Sequence, residues 1–133
     1  MELNEYQKQA MTTCKPTSNN FAYMFLNLVA EVGEFAGKVS KHIRKAEGEI
    51  SENQLDLFVF NAETGEREDW EAADHALMME AGDILWQLSG LCEIMGWELD
   101  EVAKANLEKL AIRKANGTIE GNGDGVTKEE RSK

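Results

Sequence analysis

From residue 21 to about residue 45 the apolar side chains fall at 21, 24, 25, 28, 32, 35, 36, 39 and 43, the spacing of one face of an α-helix held for about seven turns. A strand cannot use this pattern, because its side chains change face at every residue. The chain must therefore bury a long helix against other elements. At about 100° per residue, Leu28, Val32, Phe35 and Val39 define an apolar stripe, and Glu31, Glu34 and Lys38 run along its edge. The same arrangement returns from about residue 69 to 95. There Leu77, Ile84, Leu88, Leu91 and Met95 form the stripe, and Glu80 and Asp83 flank it on the corresponding side. Two such helices packed together bring four carboxylates to one rim.

The remaining segments fit the same class. Leu3, Tyr6, Ala10 and Met11 predict a short helix over residues 3–14, stopped by Lys15-Pro16-Thr17. Ser18 and Asn19 offer N-cap oxygens to the long helix. Gly33 and Gly37 weaken that helix, and they also permit a close helix partner or a ligand. Residues 46–69 break the period, and QLDLFVFNAETGERED reads as an irregular stretch or a hairpin turning at Glu63-Thr64-Gly65. A connection of that length suits a lid or an interface arm, and Leu57, Phe58, Val59 and Phe60 need burial. Gly96 stops the third main segment. A last helix then runs from Glu98 or Leu99 to about Asn116, with Val102, Leu107, Leu110 and Ala111 facing inward. The expectation is one all-α domain, a four-helix bundle over residues 1–116 with an insertion at 46–69, followed by a Gly-rich charged tail over 117–133.

Charge and cysteine usage narrow the function. A net charge of −11 and no long basic run argue against binding polymeric nucleic acid. Cys14 and Cys92 make neither a CxxC pair nor a disulfide framework. MELNEYQKQA has no apolar signal region and no stretch approaches a membrane span, so a cytoplasmic protein without membrane attachment is expected.

One Glu-x-x-Glu pair is usually a solvated helix face. Two matched pairs are different, because gathering four like charges is costly: at an effective dielectric of about 20, a pair ~4 Å apart repels by about 4 kcal/mol. Hard divalent cations relieve that cost. A di-iron carboxylate bundle would need Glu-x-x-His on two helices, and neither His42 nor His75 follows a glutamate by three. An EF-hand loop is also missing, since Asn122 and Asp124 lack the remaining ligands. On the last helix Asn106, Lys109 and Arg113 recur at i, i+3 and i+7 and share one face. Lys38, one turn beyond Glu34, can pair with Glu34 or reach a small anionic ligand. Trp86 lies away from the Ile84–Leu88 stripe and is expected to pack on another helix or subunit.

With YQKQA, LVAEVGEFAGKVSKHIRK, EAGDILWQLSGL and NLEKLAIRKANGTIEGNGD in that order, the chain resembles the all-α MazG-like nucleoside triphosphate pyrophosphohydrolases, in their short single-domain phage and bacterial form. The resemblance implies metal binding by Glu31, Glu34, Glu80 and Asp83, with Mg²⁺, or Mn²⁺ in its place, contacting the triphosphate. It also implies nucleotide and phosphate contacts from Asn106, Lys109 and Arg113; by its place on the metal edge Lys38 is a further candidate, and Glu31 or Glu34 is the expected base. Hydrolysis of a nucleoside triphosphate to the monophosphate and pyrophosphate, in nucleotide-pool control, is the implied activity, and a homodimer or homotetramer with sites near subunit contacts the implied assembly. The interval between the acidic pairs is longer than in the usual members, and the tail reads GNGDGV where similar forms continue with Asn and a basic residue. Two alternatives stand beside this reading: a non-enzymatic helical interaction module, and a hydrolase of another phosphoanhydride such as that of an alarmone nucleotide.

Overall fold

The computed structural model describes residues 1–45 and 70–119. Helices α1 (Leu3–Met11), α2 (Phe21–Lys45), α3 (Trp70–Met95) and α4 (Leu99–Ala115) are joined by a 3₁₀ turn at Pro16–Ser18 and a tight α3–α4 connection. No strand occurs among the described residues, and the all-α expectation holds. The expected hairpin at Glu63-Thr64-Gly65 and the tail from residue 120 onward lie outside the described residues.

Boundaries follow local chemistry. The first helix is shorter than the expected 3–14. Thr12 and Thr13 turn their hydroxyls back onto the carbonyls of Gln9 and Ala10, at 2.6 and 2.7 Å, and hydroxyls that bond the local backbone compete with helix continuation. The cap of α2 is Asn20 rather than Ser18 or Asn19: its Oδ1 accepts from the Tyr23 amide at 2.8 Å. Gly96 and Gly117 take the left-handed conformation, φ 70° and 64°, just past the ends of α3 and α4.

The centre of the fold is the α2–α3 pair, with α1 laid on α3 and α4 leaning mainly on α1. Met24 of α2 is fully buried, and a Cβ placed at Gly90 of α3 would overlap its Sδ and Cε. The missing side chain at 90 is what lets the two helices close. Trp86 packs on another helix, as expected: its indole Nε1 donates to the Ala10 carbonyl at 3.1 Å and to Thr13 Oγ1 at 2.9 Å, both beside the end of α1.

Side chains of α1 also cap α4. Gln7 is buried; its Oε1 accepts from the Leu99 amide at 2.7 Å and its Nε2 donates to the Trp97 carbonyl at 2.9 Å. Asn4 Oδ1 accepts from the Asp100 amide at 2.9 Å. The first amides of a helix have no internal partner, so α1 satisfies two of them from across the fold.

One expectation fails. Leu107, Leu110 and Ala111 do not face inward in this chain: all three are exposed, and only Val102 of that set is half-buried. The reason is the lean of α4 on α1, which holds the start of α4 and leaves its later turns open.

Candidate metal centre

Packing α2 on α3 turns the two acidic pairs toward each other. One carboxylate oxygen from each of Glu31, Glu80 and Asp83 lies within 4.8 Å of the others. Glu80 is only 8% exposed, Glu31 is half-buried and Asp83 exposed, so the cluster runs from the helix interface out to solvent. Glu34 stands exposed beside it, outside the three-oxygen group, yet close enough to act on Glu31 through its charge.

The electrostatics record the crowding. Burial pushes the Glu31 carboxyl above the ordinary carboxylate range, Glu34 and Asp83 push it further, and Glu80 adds a smaller amount. A hydrogen bond from Asn27 Nδ2 to Glu31 Oε1, 3.0 Å, works in the opposite direction. Glu80 Oε1 meets the Lys38 ammonium at 2.5 Å, whereas Glu80 Oε2 is buried with no hydrogen-bond partner among the described residues. Lys38 therefore does not make the expected pair with Glu34. It passes over Glu34 and crosses to α3.

A buried carboxylate oxygen without a donor is expensive, and three converging hard oxygens suit a divalent cation such as Mg²⁺. The residues present fit that group. Glu31, Glu80 and Asp83 would hold it, with Glu34 next to them.

The raised carboxyl has a pH consequence for the metal-free protein. Native Glu31 holds its proton to higher pH than the unfolded chain does, so the native state binds more protons in the window between the two values. Its contribution to stability is full below the unfolded value and is lost as pH rises through the native one. Unfolding midpoints measured with a chelator should fall across that window, Glu31→Gln should flatten the slope, and saturating divalent cation should remove it.

The cationic face lies elsewhere. Asn106 is exposed and Lys109 and Arg113 are half-buried on α4. Asn106 and Lys109 line an open cavity of about 490 Å³ with Trp97, Glu101, Val102 and Ala105. Its volume is in the range of small-molecule sites. None of the four acidic residues lines it, so one chain shows the two halves of the expected site as separate features.

Sequence reasoning missed two residues here. Trp97, half-exposed, forms a wall of the α4 cavity; the Gly-Trp at the α3–α4 turn was the available signal. Tyr6 of α1 has its phenol pushed up first by burial and then by the charge of Asp83, which puts α1 beside the acidic centre. Its helical spacing with Leu3 and Ala10 marked it only as a core position.

Comparison with known proteins agrees with this arrangement. The family described as MazG nucleotide pyrophosphohydrolase domain matches residues 20–118, which include both acidic pairs and the α4 face. The chain belongs to the MazG family. It is also 33% identical over 103 residues to the Gene 37 protein of Mycobacterium phage L5, covering 77% of this chain and 74% of that protein. No solved structure gives a significant match. Among the described residues of this MazG chain, no helix is long and apolar enough to cross a membrane.

Proposed function

We propose that this MazG chain is a Mg²⁺-dependent nucleoside triphosphate pyrophosphohydrolase, converting an NTP or dNTP to the monophosphate and pyrophosphate in a cytoplasmic nucleotide pool. The observation that carries the reading is the three-oxygen centre made by Glu31 of the first acidic pair with Glu80 and Asp83 of the second, with a buried oxygen at Glu80 that has no hydrogen-bond partner among the described residues. A bound Mg²⁺ supplies charge neutralisation for the phosphates and a lowered pKa for water. Glu31, Glu80 and Asp83 hold it. Glu34, exposed beside them, orients the attacking water and accepts its proton. Lys109 and Arg113 counter the phosphate charge, and Asn106 hydrogen-bonds sugar or base from the cavity wall.

The active unit is a homo-oligomer. Phe21, Phe25, Leu26, Val29 and Val32 of α2 are exposed, Leu26 and Val29 by 66% and 60%. The rings of Phe21 and Phe25 stack on one another at this surface, centroids 5.9 Å apart. Gly33 continues the face, and a Cβ there or at Gly37 would meet nothing within 4 Å, so another helix can approach closely. A second copy related by a two-fold axis matches such a face with itself. The cavity and the acidic centre share no lining residue, which supports a complete site near a subunit contact.

A panel of NTPs and dNTPs with Mg²⁺, read for pyrophosphate and monophosphate, tests the activity. Turnover with those two products is expected, and Asp83→Asn should remove it. Complete inactivity would leave the interaction-module reading standing, and other products would move the assignment to a different phosphoanhydride.

A further inference from the structure

We propose that Lys38 is a built-in counter-ion of the acidic centre: it is seated on Glu80 in the absence of a divalent cation, is displaced when one binds, and is then available to the phosphates of the substrate. The inference rests on the metal-centre reading and goes beyond it, because it makes metal loading and substrate binding consecutive uses of one side chain. Lys38 lies four residues after Glu34, the spacing at which a helical Lys and Glu pair on the surface. It instead reaches across to Glu80 Oε1, on the neighbouring helix. The choice follows the charge. Glu80 is the buried member of a three-carboxylate group, and an ammonium there relieves more repulsion than one held at exposed Glu34.

The seat is also incomplete. Lys38 satisfies one oxygen of Glu80 and leaves Oε2 buried with no donor among the described residues, although Oε2 belongs to a residue only 8% exposed. A dication shared by Glu31, Glu80 and Asp83 can use what the ammonium does not. Once it is there, the monovalent charge beside Glu80 is both unnecessary and repelled. The Lys38 side chain is 44% exposed, so its flexible stem can leave the seat for solvent or for an anionic substrate without unpacking the core.

The test is titration of the full chain with Mn²⁺ or Mg²⁺ alone by calorimetry, together with unfolding midpoints in chelator. Lys38→Met should bind the cation about five- to tenfold more tightly than the wild type, and its metal-free midpoint should fall. With cation saturating, it should bind a non-hydrolysable nucleoside triphosphate more weakly. Lys38→Arg should stay near the wild type in all three. Lys41→Met, which removes an equal charge from an exposed position on the same helix, controls for net charge and should change cation affinity by less than twofold. Equal or weaker cation binding by Lys38→Met overturns the inference, as does a matching gain in Lys41→Met. If the wild type binds cation and cleaves triphosphate while Lys38→Met is unchanged, the counter-ion role fails alone. A wild type that binds no cation removes the metal centre and this inference with it.

Discussion

Glu31→Gln is expected to cost at least about a thousandfold in turnover while making the metal-free protein harder to unfold. Both effects come from one carboxylate. In the native chain it is pushed toward its neutral form by burial and by Glu34, Asp83 and Glu80, so its charge opposes folding above the ordinary carboxylate range. Glutamine keeps the shape, and its carbonyl still accepts the Asn27 amide that Glu31 Oε1 accepts at 3.0 Å. Only the charge is lost. Catalysis needs that charge, since a thousandfold is about 4 kcal/mol of transition-state stabilisation, within what a correctly held metal supplies. Steady-state rates with saturating Mg²⁺ and unfolding midpoints in chelator give the two readings. Retention of full turnover would remove Glu31 from the centre, whereas loss of turnover with a lowered midpoint would make it a structural residue. Such an exchange of stability for activity is common where a site concentrates like charge.

Much of this was readable before the fold was known, because helical periodicity and the i, i+3 acidic pairs are local properties. Local spacing was sufficient to place α2, α3 and α4 and to put Glu31, Glu80 and Asp83 on facing edges. Relations between helices were not legible in the same way. Spacing alone offered Lys38 its neighbour Glu34, and only the packing of α2 on α3 revealed the stronger draw of Glu80. Gln7 and Asn4 looked like ordinary polar positions until α1 was laid against the first turn of α4. Leu107 and Leu110 fitted an inward stripe, but an apolar period says only that a face is to be covered, not that the same chain covers it.

Leu26→Glu is expected to convert the proposed oligomer to a monomer and to remove turnover while leaving cation binding in place. Among Phe21, Phe25, Leu26, Val29 and Val32 of α2, Leu26 is the most exposed, and it lies about 140° around the helix from Glu31, so the new carboxylate does not enter the acidic centre. Completing the burial of Phe21, Phe25, Leu26, Val29 and Val32 is worth roughly 1 kcal/mol each, and a two-fold axis doubles the sum, enough to offset the lower estimates for the cost of association. A glutamate on each copy would meet its mate near the axis without a partner, and an unpaired charge there outweighs that gain. Light scattering after size exclusion gives the mass. If the variant is too unstable to isolate, the wild type still decides the matter, because an oligomer-stabilised fold unfolds at a midpoint that rises with protein concentration. A wild type that is monomeric with a constant midpoint would overturn the assembly. The activity of the monomer then separates the two halves of the site. Glu31, Glu80 and Asp83 come from one chain, so cation binding should survive. The α4 cavity shares no wall with them, so turnover should not survive if a subunit contact is what joins the two.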